Sequence, residues 1–183
     1  QRQMCIRDRF YDREDQAEAF FVHIDSAYNA LSARIPENNY KPLILSGLPW
    51  KDTWYMAGGN SFAAQLISDA GGSYLWKDDP STQALPLDIE SVYLRAVRAD
   101  IWINPGAAGS LTDIIQLDQR LGALEVIERG RVFNNNARIS PGGGNDYWES
   151  GTIRPDLILA DLMAAFHPDL FPDHSFVYYR KLK

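Results

Sequence analysis

The sequence predicts an α/β fold with a mainly parallel sheet flanked by helices and preceded by one long amphipathic helix. Three observations carry this. From Tyr11 to Ala33 the apolar positions Ala17, Phe20, Phe21, Ile24, Ala27, Tyr28 and Leu31 recur at i, i+3, i+4, i+7, which marks a helix with a wide apolar stripe. After Pro42, short β-branched or aromatic runs alternate with helical patterns, the sequence sign of parallel strands joined by crossover helices. Finally, 45% hydrophobic and 23% charged residues in a chain of 183 suit one globular domain with a real core.

Taken in order, Pro36 closes the first helix, and Lys41-Pro-Leu-Ile-Leu-Ser46 reads as a short buried strand. Gly47 to Gly59 is expected to be a loop holding Trp50, Trp54 and Tyr55. A helix follows over Ser61 to Ala70, with Ala63, Leu66, Ile67 and Ala70 inward, and Gly71-Gly72 supplies a left-handed stop. Ser73 to Trp76 is strand-like and leads into a polar loop reaching Pro86. Asp88 suits the N-cap of a helix that turns Ile89, Val92, Tyr93 and Ala96 inward. Asp100 to Asn104 is the next strand, and Ser110-Leu-Thr-Asp113 has the form of a capping box opening a helix through Ile114, Leu117 and Leu121. Arg131 to Phe133 reads as a strand, Asn134 to Gly151 as a long polar loop, and Pro155 to Phe166 as a helix with proline at its first position. Ser175 to Tyr179 is expected to be extended.

Composition excludes several functions. A net charge of −6 offers no basic surface for phosphate backbones, so nucleic acid is not an expected partner. The single cysteine, Cys5, permits neither an intrachain disulfide nor a thiolate cluster. The three histidines, His23, His167 and His174, form no metal-binding spacing, so no metal site built from protein ligands is expected and no cofactor is called for. No apolar run approaches the roughly 20 residues that span a bilayer, so direct membrane insertion of this segment is not expected. The N-terminal Gln1 to Arg9 resembles translated sequencing-adapter DNA. Residues 1–9 are therefore expected to be a non-native tail, with the gene continuing upstream; a frayed polar tail is the other reading.

Four landmarks, in order, resemble a known family. They are the helix running into Lys41-Pro-Leu-Ile-Leu45, the stretch Tyr55-Met-Ala-Gly-Gly-Asn-Ser-Phe-Ala-Ala-Gln-Leu-Ile-Ser-Asp-Ala-Gly-Gly72, the pair Leu87-Asp-Ile-Glu-Ser-Val92 and Ala99-Asp-Ile-Trp-Ile103, and Leu121 to Phe133 followed by Arg154-Pro-Asp-Leu157 and His167-Pro168. The set is similar to the periplasmic substrate-binding proteins of ABC importers for iron-siderophores, haem and cobalamin, which have two α/β lobes joined by a long helix. The resemblance implies an interlobe helix over 10–36 and the C-terminal lobe over 37–183. It also implies that the protein is no enzyme but binds a metal chelate in a cleft between lobes and hands it to an ABC permease dimer. The location would be periplasmic, free or lipid-anchored in the full-length protein.

Such a cleft calls for aromatic faces and a few placed polar groups. Trp50, Trp54 and Tyr55 in one loop and Asn145, Asp146, Tyr147 and Trp148 in another offer these, with Arg138 as a fork for a ligand carboxylate. Plainer roles stand beside each: a loop tryptophan can lid the core, Asp146 can form a turn, and Arg138 can make a surface ion pair. The family match places the permease-docking acid of this lobe at Glu90, which also suits the first turn of a helix on its own account. Gly58-Gly59-Asn60 can bind an anion or simply permit close backbone packing. An α/β enzyme fragment and a partner-binding module without a small-molecule ligand are the competing classes; the first lacks a nucleophile elbow, P-loop or dinucleotide fingerprint.

Overall fold

A computed structural model describes residues 12–36 and 39–183. The expected tail over 1–9, Cys5 and the first residues of the N-terminal helix lie outside the described residues. Helix α1 spans Glu14–Ser32, with Glu14 and Asp15 in its first turn. A five-stranded sheet follows in the order β3-β1-β5-β6-β7. Its strands are β1 (Leu43–Ser46), β3 (Ser73–Tyr74), β5 (Ile101–Ile103), β6 (Val132–Asn134) and β7 (Arg180–Lys181). The first three pairings are parallel, registering Leu43 with Ser73, Leu45 with Trp102, and Ile103 with Phe133. β7 alone runs antiparallel. The expectation of a mainly parallel sheet with flanking helices holds.

Local signals set most boundaries. Ser61 caps α2 (Phe62–Asp69) by accepting from the Ala64 amide, and Gly71 follows at φ +78°, the left-handed stop that ends the helix. Asp88 caps α3 (Ile89–Ala96) from the Ser91 amide. Ser110 and Asp113 form a reciprocal capping box on α4 (Leu111–Leu117). A four-residue α5 (Glu125–Glu128) leads into β6, and α6 spans Pro155–Phe166 with proline at its start. The continuation of α4 to Leu121 is corrected: Asp118 leaves helical geometry and its side chain caps a separate 3-10 turn over Gln119–Ala123. On α2 the inward residue is Ala64 rather than Ala63.

The largest departure is β2 (Thr53–Ala57) paired antiparallel with β4 (Ala84–Asp88), where two loops were expected. Along β2 the side chains alternate, Trp54 and Met56 buried and Tyr55 out, the period-2 pattern of a half-buried strand. Pro86 fits because a two-stranded ribbon leaves backbone groups that need no partner on its outer edge. The segment Ser175–Tyr179, expected to be extended, forms no strand, and pairing with β6 begins at Arg180.

Helix α6 lies at the centre, apolar on nearly every side, and α1 packs across it. The second half of α1 is held by Ile24, Tyr28 and Leu31, and the Tyr28 hydroxyl donates to Asp69 Oδ2 at 2.6 Å on α2. Its first half keeps Phe20 and Phe21 exposed.

One buried carboxylate fastens the C-terminal segment to α6. Asp161 is fully buried and its oxygens accept the backbone N–H groups of Val177, Tyr178 and Tyr179, with His174 Nε2 at 2.7 Å. Asp161→Ala strands these donors without partners and is expected to lower stability by about 3 kcal/mol, a fall in Tm of roughly 6–12 °C. Thermal unfolding by circular dichroism checks this; an unchanged Tm would show that the carboxylate is dispensable.

His167, after α6, donates from one ring nitrogen to the Gly71 carbonyl at 3.3 Å and faces the Asn39 amide at 3.2 Å. Burial pushes its pKa below the usual 6.5, and the nearby Arg131 charge acts the same way. The unfolded chain therefore binds the proton more readily, so stability is expected to fall as pH drops below about 6.5 and to level off below the folded pKa. Tm measured between pH 7 and 5 should fall less in His167→Gln than in the wild type.

Candidate functional site

The carboxyl ends of the parallel strands face one way, and their outgoing loops are tied together there. Trp102 of β5 donates its indole N–H to the Gly47 carbonyl at 2.7 Å, and Trp54 donates to the Ser46 carbonyl at 3.1 Å, so two indoles 5.5 Å apart and tilted by 31° pin the end of β1 and the start of its outgoing loop. Gly106, after β5, lies against Leu48. The Asn134 side chain at the end of β6 donates to the carbonyls of Gly106 and Ala108 at 3.0 and 2.8 Å. Asn136 reaches Ala108 and accepts from Arg180. Between them Asn104 adopts φ +53°, a left-handed conformation uncommon outside glycine and concentrated at functional sites.

On this rim the loop after β6 presents the densest group of aromatic side chains. Tyr147 packs edge-on against Trp148 at 4.8 Å, Tyr179 at 5.8 Å and Tyr178 at 6.2 Å. Burial raises the Tyr147 and Tyr179 hydroxyls above the usual tyrosine range. Both phenols therefore stay neutral at physiological pH. Tyr147 is half-buried as a support, whereas Trp148 is 67% exposed and offers its ring face to solvent. Asn145 sets this geometry by accepting from the Tyr147 amide at 3.1 Å while donating to the Asn135 carbonyl at 3.0 Å. Ser140 and Gly143 close the turn beneath, with Gly143 at φ +84°.

The other sequence candidates separate. Asn145, Asp146, Tyr147, Trp148 and Arg138 come together, but Arg138 Nε is already 3.0 Å from Asp146 Oδ2 and its guanidinium sits over Tyr178. Trp50, 65% exposed, lies on the loop after β1 with the Lys51 ammonium over its ring. Tyr55 points outward from the β2–β4 ribbon, half exposed. Trp54 is a correction: at 0% exposure, packed on Trp102, it belongs to the core and cannot meet a ligand at this rim. At Gly58 and Gly59 a side chain would meet the carbonyls of Ser81 and Asp79 at 2.2 and 2.4 Å, so close backbone packing accounts for these glycines and leaves no room for an anion. Glu90 stands exposed in the first turn of α3, and Arg120 Nη1 lies 3.0 Å from its Oε1, holding the carboxyl below the usual range. Tyr178, Tyr179, Asn104 and Asn134 were not anticipated as site residues. The run Asn134-Asn-Asn136 directly after a strand was the available signal.

Comparison with known proteins settles the family. Residues 9–134 match the model of the periplasmic binding protein family. The chain belongs to that family. A relative, an uncharacterized lipoprotein of Methanocaldococcus jannaschii, is 25% identical over 165 residues, 88% of this chain and 37% of the relative. Among solved structures, the TroA-like periplasmic binding protein FepB from Veillonella parvula has a TM-score of 0.67 at 14% identity, covering 94% of this chain and 58% of that one. The periplasmic heme-binding protein RhuT from Roseiflexus sp. RS-1 gives 0.66 at 18%, covering 89% and 60%. Helicobacter pylori CeuE with Ni(II) bound gives 0.63 at 13%, covering 93% and 54%. At such identities these structures establish the shared fold. The chain spans little more than a third of the curated relative and under two thirds of each structure. Among the described residues no helix is long and apolar enough to cross a membrane, and no three His, Cys, Asp or Glu side chains converge to hold a metal ion. Membership places the chain among solute-binding proteins rather than enzymes.

Proposed function

We propose that this chain is the connecting helix and second lobe of the solute-binding component of an ABC importer, with the rim around Trp148 as its half of the ligand cleft. The observation that carries the reading is the buttressed aromatic platform at the carboxyl ends of parallel strands, where open α/β sheets take their ligands. A platform whose ring is bare on one side and supported by neutral phenols on the other suits the flat, partly apolar body of a metal chelate: an iron-siderophore, haem or cobalamin. RhuT is a heme-binding protein and the CeuE structure holds Ni(II), which supports this class. The metal would arrive inside its chelator as cargo.

The division into an interlobe helix over 10–36 and a lobe over 37–183 belongs to the same proposal. Phe20 and Phe21, bare on α1, are then the surface against which the preceding lobe packs. Periplasmic location follows from the family, and lipid anchoring is supported by the lipoprotein relative. Arg138 and Asp146 fit as polar groups at the platform edge that exchange their mutual ion pair for a ligand carboxylate or hydroxyl.

In the complete protein, Trp148→Ala is expected to raise the Kd for the cognate chelate roughly tenfold. Fluorescence titration with a ferric siderophore, haem and cobalamin in parallel identifies which it is; equal affinity in both proteins for every binder would remove Trp148 from the cleft. Glu90 is assigned to docking on the permease. Glu90→Lys should cut uptake by roughly tenfold while leaving chelate affinity intact, whereas unimpaired uptake would return Glu90 to a purely local pairing with Arg120.

A further inference from the structure

At the other end of the sheet, where strands begin rather than end, lies a cavity of about 720 Å3. Its walls come from the end of α6, the residues before β1 and the edge formed by β6 and β7. Register places Lys181 directly across from Phe133, and Arg131 stands two residues before Phe133, so all three side chains project from one face of this edge. Arg131 and Lys181 make no ion pair with any described residue. Carboxylates nearby are spoken for or out of reach. Asp100 accepts from the Tyr40 hydroxyl at 2.8 Å and the Leu43 amide at 2.7 Å, and Asp169 lines the cavity beyond 4.0 Å from either cation. Two like charges at diagonal positions on one face of a sheet edge repel unless an anion joins them, and this occurs in a chain carrying 24 acidic against 18 basic residues. Apolar surface lies next to the charges, where Phe133 and Phe176 stand 5.8 Å apart.

We propose that this cavity is a second binding site, taking a small aromatic anion, carboxylate or phosphate, whose charge lies between Arg131 and Lys181 and whose ring rests on Phe133 and Phe176. It is separate from the chelate cleft and does not depend on that reading. The guanidinium supplies a bidentate fork and the ammonium a point charge, while Tyr40 and His167 border the opening.

The 15N-labelled chain, titrated with phenyl phosphate, benzoate and inorganic phosphate at matched ionic strength, tests this by amide chemical shifts. Saturable shifts are expected at Arg131, Phe133, Phe166, His167 and Lys181, and the stronger of the two aryl anions names the headgroup. Lys181→Gln and Arg131→Gln should each weaken aryl-anion binding roughly tenfold. Phe176→Ala should weaken the aryl anions yet leave inorganic phosphate unchanged. Should Arg131→Gln fail to fold, Lys181→Gln on the exposed edge strand decides alone. The proposal is overturned by an absence of saturable shifts up to about 20 mM, by shifts confined to residues 135–149, or by undiminished affinity in a natively folded Lys181→Gln.

Discussion

The carboxylate of Asp161 is the point on which the architecture of the C-terminal segment hangs. It sits fully buried on the central helix and collects consecutive backbone N–H groups from a segment that forms no strand of its own. A buried charge is tolerable only when donors surround it, and here the donors are the turn that carries Tyr178 and Tyr179. These rings are the wall behind Tyr147 and beneath Arg138. The platform at the rim is thus held by a fully buried carboxylate, and the antiparallel pairing of β7 with β6 begins where this segment is released.

A second constraint comes from the sheet. Parallel strands put all their outgoing loops at one end, and backbone groups in such loops must find partners away from the ladder. Two indole N–H groups and the carboxamides of Asn134 and Asn136 provide them, reaching the carbonyl at the end of β1 or carbonyls in the loops after β1 and β5. The side chains that satisfy the loops also tie them to one another, with Trp148 exposed above them. Asn104 keeps its left-handed backbone within this mesh.

Legibility of the fold in the sequence followed the range of the interactions. Ser110 with Asp113, Asp88, Gly71 and Pro155 announce helix ends through contacts within four residues, and those boundaries appear where expected. The β2–β4 ribbon depends on pairing across about thirty residues of chain. Glycines and aromatics around Trp54 suggested a loop, although the alternation of Trp54, Tyr55 and Met56 was a strand signal in plain sight. For the candidate site, Tyr147 and Trp148 were readable because they follow a strand in a polar loop, and Asn145 and Asp146 came with them. Trp54 was misplaced because residue type alone does not tell which side of a strand faces the core. Nothing local to Asp161 in the sequence reveals that its partners lie 13 to 18 positions onward.

The antiparallel β7 makes the two ends of the five-stranded sheet chemically unlike. Were the sheet wholly parallel, its amino-terminal end would hold only incoming loops and the first turns of strands. By returning alongside β6, β7 brings Lys181 next to Phe133 and within the same face as Arg131, while its other residue, Arg180, turns toward Asn136 and the Gly109 carbonyl on the rim. Two adjacent residues therefore serve opposite faces, as the period of a strand requires. Arg180 has found its acceptors, whereas Lys181 and Arg131, neither in an ion pair with a described residue, line one cavity with Phe133 and Phe176. Charge of one sign concentrated at a concave apolar surface focuses the local field, so this end of the sheet favours anions in an otherwise acidic chain.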